Sequence, residues 1–146
     1  MKTTQLEQDF IQQCRKQAQA YRENHQLTIA YHGQQSIKDT YLARVEQHRL
    51  ADEIVQGYGY WQNGKGCAVG CTIHGSSHDA YETELGIPRI IARLEDCIFE
   101  GLPAVAARTW PVRFLRSIRP GADLSLSHHR FFAWLMRSTL LTENDK

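Results

Sequence analysis

Apolar residues recur at helical spacing along most of the chain. Between residues 4 and 24, Leu6, Phe10, Cys14, Ala18 and Tyr21 fall three or four positions apart, and Ile11 widens the stripe. That spacing marks an amphipathic helix. Leu27 to Tyr31 is β-compatible but short, and His32-Gly33 ends it. A second helix is expected from Ser36, with Asp39 at the third helical position of a capping box. It runs through Ile37, Tyr41, Leu42, Val45, Ile54 and Val55 to a stop at Gly57. A short helix follows from Ser76 or Ser77 to Leu85, closed by Gly86, and another from Pro88 to Gly101 that packs Ile90, Ile91, Leu94 and Ile98. Two more cover 103–118, interrupted by Pro111, and 125–141, separated by the turn at Pro120-Gly121. The pattern predicts an all-α fold, a compact bundle of five or six helices in a single domain over 1–146, with a disordered tail at 142–146.

One stretch breaks this rhythm. Six of the ten glycines lie between positions 57 and 75, a density that signals unusual backbone angles or close approach by another group. Asn63-Gly64 is a type I′ turn signal. A glycine-rich loop or short hairpin is therefore expected over about 57–75.

Composition changes the picture in two ways. At 146 residues, 42% hydrophobic and 23% charged, the chain can bury one core without staples. It has no apolar run of membrane-spanning length and no signal-peptide centre, so a cytoplasmic protein is expected. Net charge is +1 but unevenly spread: Gly101 to Arg137 holds six arginines and one acid, while acids gather from Asp79 to Glu100. Arg113, Arg116 and Arg119, with Arg108 upstream, form a basic stripe. Its expected role is internal pairing with that acidic region, since arginine forks onto carboxylates. The near-zero total charge and the absence of a groove-reading motif argue against nucleic acid.

The densest candidate chemistry is Cys67-x3-Cys71-x2-His74-x3-His78. Thiolates and imidazoles are ligands that zinc prefers, so Cys67, Cys71, His74 and His78 form a candidate metal set. If Cys67 and Cys71 are one helical turn apart, their sulfurs share a face, and Lys65 and His74 are placed to lower a thiol pKa. This arrangement resembles the alkylhydroperoxidase-type redox proteins, all-helical and built around Cys-x-x-Cys-x-x-His with a nearby Glu, although three residues separate the cysteines here. The plainest reading makes Cys-Ala-Val-Gly-Cys a compact buried turn, with Cys14 and Cys97 as small hydrophobes in helical stripes. Tyr31-His32-Gly33 followed by Gly57-Tyr58-Gly59-Tyr60 resembles the opening of ADP-ribosyltransferase domains, which need several strands.

On the second helix, His48 and Asp52 are four apart and continue the apolar stripe, as an acid orienting an imidazole would. Glu82 and Glu84 lie just beyond His78. The candidate catalytic set is thus Cys67, Cys71, His74, His48, Asp52 and Glu82, provided the second helix packs under the glycine-rich loop. Two functions are consistent with these features. One is an interaction or regulatory module that docks a protein partner or small-molecule ligand through its aromatic, glycine-rich loop. The other is a thiol-redox or zinc-type site protein. The sequence does not set the oligomeric state.

Overall fold

The computed structural model describes residues 29–143 together with Gln5, Gln8, Asp9, Gln12, Gln13, Arg15, Lys16, Gln19 and Ala20; side chains are described as far as Ser138. These nine early positions are helical and exposed. The apolar stripe expected between residues 4 and 24 lies outside the described residues. The described chain is mostly helical, with one small two-stranded sheet.

Of the short β-compatible run expected at Leu27–Tyr31, Leu27 and Thr28 lie outside the described residues, Ile29 forms an isolated bridge to Asp123, and a 3-10 turn follows over Ala30–Gly33. Ala30 N donates to Ala122 O at 3.0 Å and Gly121 N donates to Ala30 O at 2.8 Å. The segment is thus tied to the turn at Pro120-Gly121. Tyr31 takes a left-handed conformation (φ 55°), held by full burial and by its hydroxyl, which donates to Leu115 O at 2.7 Å.

Helix α1 spans Gln35–Leu50 and turns Lys38 and Val45 into the core, with Ile37, Tyr41 and Leu42 packed alongside. The capping box at Ser36 and Asp39 does not form. Gln34 is the N-cap, and Gln35 Nε2 donates to Asp39 Oδ1 at 2.8 Å. The helix also stops well before Gly57. Asp52 adopts a left-handed conformation (φ 55°), and the chain continues extended, with Val55 N donating to Gly66 O at 2.9 Å and Gly66 N to Glu53 O at 3.0 Å. Ile54 therefore sits outside the helix, in an isolated parallel bridge to Gly66, a setting that suits a β-branched side chain.

Two cations on α1 reach the ends of other helices. Lys38 is only 8% exposed, and its Nζ donates to Arg116 O at 2.8 Å and Ile118 O at 2.6 Å, at the end of α6 (Trp110–Ser117). Arg44 Nη1 donates to Thr72 O at 2.8 Å, at the end of α2 (Ala68–Ile73). Final helical carbonyls lack intrahelical partners and carry partial negative charge, so a cation there is favourable. These contacts fasten α1 to both helices.

Strands β1 (Trp61–Gln62) and β2 (Lys65–Gly66) form an antiparallel hairpin. Asn63 (φ 52°) and Gly64 (φ 76°) are both positive, as a type I′ turn requires. Every residue of α2 is buried. The Tyr60 carbonyl lies directly over Gly66 and Gly70, where a Cβ at either position would overlap it. Close backbone approach is therefore the reason for these two glycines.

Helix α3 (Asp79–Leu85) ends at Gly86 in the left-handed conformation, as expected. Helix α4 (Arg89–Gly101) follows Pro88 but buries Ile91, Ala92, Glu95 and Phe99, leaving Ile90 40% exposed. The buried face meets Tyr81, whose hydroxyl donates to Glu95 Oε2 at 2.6 Å, and Trp110, whose Nε1 donates to Glu95 O at 3.2 Å. The single helix expected over 103–118 is divided into α5 (Ala104–Ala107) and α6. Pro111 sits in the first turn of α6, where its missing N–H breaks no helical bond. Helix α7 (Ser127–Glu143) takes in the first two residues of the tail expected at 142–146; the rest lies outside the described residues. Between Gln35 and Glu143 there are seven α-helices, more than the pattern predicts, and no helix among the described residues is long and apolar enough to cross a membrane.

Candidate functional site

Tyr41, Arg44 and His48 are three and four apart on α1, so they share one face of the helix. The left-handed turn at Asp52 brings the following carboxylate back against that face. His48 Nδ1 lies 2.6 Å from Glu53 Oε2. An ionised carboxylate only accepts, so Nδ1 carries the proton and donates it. On the other side of the ring, His48 Nε2 lies 2.7 Å from His74 Nε2.

His74 is held by its place in the chain. It caps α2 in the left-handed conformation, its N–H donating to Gly70 O. Trp61, from the hairpin, stacks on its ring at 4.2 Å and 17° and meets His48 edge-on at 4.9 Å. Burial holds the His74 pKa below the usual histidine value, and the nearby Arg44 and His48 add to that, against smaller opposing effects of Glu53 and Glu84. Beside the pair, the Arg44 guanidinium lies over the Tyr41 ring at 4.7 Å, and Tyr41 OH donates to Glu84 Oε2 at 2.5 Å. Burial, then the bond to Glu84, pushes the Tyr41 phenol up to about 12. Five separate parts of the chain, α1, Glu53, Trp61, His74 and Glu84, thus converge on one polar cluster with an aromatic wall.

Two of the residues expected at the site, His48 and His74, meet here. The others lie elsewhere. Asp52, 71% exposed, pairs with Arg108 at 3.1 Å instead of His48. Glu82 Oε1 accepts from Arg89 N at 2.8 Å, at the start of α4. His78 Nε2 sits 3.6 Å from Asp96 Oδ2, with Tyr60 edge-on to its ring.

The thiols are interior groups. Cys67 and Cys71 are buried and unbridged. Cys67 Sγ accepts from Gly70 N at 3.5 Å, and Cys71 Sγ donates to Gly66 O at 3.4 Å. Burial pushes both thiols up to about 12; the adjacent Asp96 also raises Cys67. A thiol in that condition is a poor nucleophile. Among the described residues no three His, Cys, Asp or Glu side chains are gathered as metal ligands. The set is therefore split: Cys67 and His78 both neighbour Asp96, Cys71 turns to the Gly66 carbonyl and His74 meets His48.

No known family model, curated protein or solved structure matches this chain. The chemistry must be read from the site itself. Glu53, Trp61, Tyr41 and Arg44 were not singled out for it by the sequence. The spacing of Tyr41, Arg44 and His48 is a usable signal. Glu53 carries none, because its approach depends on the backbone reversal at Asp52.

The Arg113, Arg116 and Arg119 stripe forms no ion pair among the described residues, and all three are exposed. The pairing expected with the acidic region 79–100 is not seen among the described residues; Arg108 pairs instead with Asp52, outside that region. The loop aromatics Tyr60 and Trp61 are half-buried against the core. The large exposed apolar side chains gather instead on α7, where Phe132 is 50%, Trp134 61% and Met136 57% exposed.

Proposed function

We propose that this protein performs acid–base chemistry on a small polar substrate, with His74 as the general base. The observation that carries this reading is the continuous chain Glu53–His48–His74, with bonds of 2.6 and 2.7 Å. With Nδ1–H committed to Glu53, neutral His48 presents a lone pair at Nε2, and His74 Nε2–H donates to it. The His74 Nδ1 lone pair is then left for a substrate proton. As that proton arrives at Nδ1, the Nε2 proton passes to His48, and the resulting imidazolium lies against the Glu53 carboxylate. The depressed His74 pKa keeps the base unprotonated at neutral pH. Trp61 shields one face of the ring.

The test is solvent-deuterium exchange into a panel of carbonyl compounds, followed by NMR, for wild type, His74→Ala and His48→Ala. Proton abstraction by His74 predicts exchange above buffer for a member of the panel, falling about a hundredfold in His74→Ala. Exchange no faster than buffer throughout, or unaffected by His74→Ala, removes the reading.

A second reading, an interaction module, has its own observation in the exposed apolar residues of α7. It relocates docking from the aromatic loop to Phe132, Trp134 and Met136. Light scattering over a concentration series, comparing wild type with Trp134→Glu, tests for pairing of two copies through this face; no mass increase removes that form of it.

A further inference from the structure

The chain Glu53–His48–His74 has the order of a nucleophile triad: an acid that orients a base, and the base bonded to a third group with a free lone pair. Nucleophile and base in such sets lie within hydrogen-bond reach, and the two bonds here are 2.6 and 2.7 Å. The His48 and His74 ring centres are 5.0 Å apart and their Nε2 atoms 2.7 Å. Nearly all of the separation therefore lies along the N···N line. The bond is head-on, the alignment in which a proton passes.

His74 has what the third position requires. It is solvent-exposed, and its Nδ1 has no hydrogen-bond partner among the described residues. Its ring is neutral at neutral pH, held so by partial burial and then by Arg44, and histidine in that form can attack a substrate covalently. The surrounding charges select the electrophile. Two carboxylates, Glu53 and Glu84, and one guanidinium, Arg44, act on the ring. The excess of negative charge disfavours a phosphoryl group or any other anion. An uncharged carbonyl carbon meets no such barrier, and the charge that develops on its oxygen has Arg44 nearby to stabilise it.

We infer that His74 is a covalent nucleophile that takes an acyl group from a small uncharged ester and passes it to water. Nδ1 bonds to the carbonyl carbon, and the C–O bond to the alcohol breaks, the leaving oxygen keeping the electron pair. The Nε2 proton of His74 moves to His48, whose cation lies against Glu53, so the acylated ring is left neutral. Water then attacks the acyl carbon. The N–C bond returns its electrons to Nδ1, His48 gives the proton back to Nε2, and the carboxylic acid leaves. The acid ionises and its proton ends on the alkoxide, so the net change is ester plus water to carboxylate plus alcohol. The inference rests on the proton arrangement of the acid–base reading but not on its proton-abstraction step.

Two probes test it. Diethylpyrocarbonate, an acyl donor, followed by peptide mass mapping, labels His74 well ahead of His129, an exposed imidazole that stacks on His128 and has no carboxylate relay. p-Nitrophenyl acetate is hydrolysed with repeated turnover, and the rate falls about a hundredfold in His74→Ala. Glu53→Gln, checked for wild-type unfolding, slows both labelling and turnover about tenfold or more. Asp52→Asn removes the neighbouring acid that pairs with Arg108, tolerates the left-handed turn, and leaves both rates unchanged. Intact acyl turnover in a protein that exchanges no deuterium supports the inference while removing the proton-abstraction reading. Labelling of His74 no faster than His129, no turnover above buffer, or equal rates in Glu53→Gln overturns it.

Discussion

His48 and His74, 26 positions apart in the chain, share a hydrogen bond of 2.7 Å between their Nε2 atoms. One ring must donate and the other accept, so the two imidazoles cannot both be cationic while the bond holds. A group whose neutral form is favoured by folding contributes stability near neutral pH. That contribution is lost as pH falls through and below the ordinary histidine range, because the unfolded chain binds the proton more readily. His74 is such a group.

Arg44 is the second of the causes that depress His74, after burial. Arg44→Gln should raise the His74 pKa part of the way toward the usual histidine value, read from ring ¹⁵N shifts in an NMR titration. An unchanged or lower value would show that the guanidinium does not act on this ring.

Glu95 gives the opposite pH dependence. It is fully buried, and burial raises its carboxyl to about 8, against the opposing bond from Tyr81. Between the ordinary carboxylate range and about 8, the folded protein holds a proton that the unfolded chain has released. Stability should therefore fall as pH rises through that window, by at most roughly 1.4 kcal/mol per pH unit from this group. Glu95→Gln should flatten the slope in urea titrations at several pH values; an equal slope in the variant would contradict the assignment.

The buried thiols should be inert in the folded protein. With both pushed up to about 12, only about one part in ten thousand is thiolate at pH 8. Iodoacetamide labelling followed by peptide mass mapping should mark exposed Cys97 well before Cys67 or Cys71. Early labelling of Cys67 would restore the thiol chemistry that its burial argues against.

Gly70→Ala should destabilise the fold by about 3 kcal/mol, or prevent folding, because the added methyl meets the Tyr60 carbonyl. Gly64→Ala has open space and only the cost of a positive φ, about 1 kcal/mol. Thermal unfolding of the two variants measures the difference. Equal midpoints would mean that the hairpin does not press on α2.

Much of the helical pattern was legible because apolar spacing and Gly or Pro punctuation are local. Asn63-Gly64 announced the turn, Gly86 the end of α3, and Pro120-Gly121 the turn before α7. The errors arose where long-range contacts override local signals. Ile54 and Val55 fit a helical stripe as well as a strand, and only pairing with Gly66 decides between them. At the site, His48 and His74 were visible as polar residues in demanding places. Asp52 was the plausible acid by helical spacing, but the helix ends at Leu50, so the spacing no longer applies and Glu53 takes the role. The burial of Glu95 had no local signal, because it depends on Tyr81, fourteen residues earlier.

The helix Ala68–Ile73 has no solvent-facing side. Each substitution there must satisfy packing on all sides, whereas the hairpin tip at Asn63 and Gly64 answers only to its own backbone angles. In a deep mutational scan read out as folding stability, tolerance should therefore drop sharply at Gly66 and recover past Ile73. The six buried positions would accept almost no exchange, while the flanking surface drifts freely.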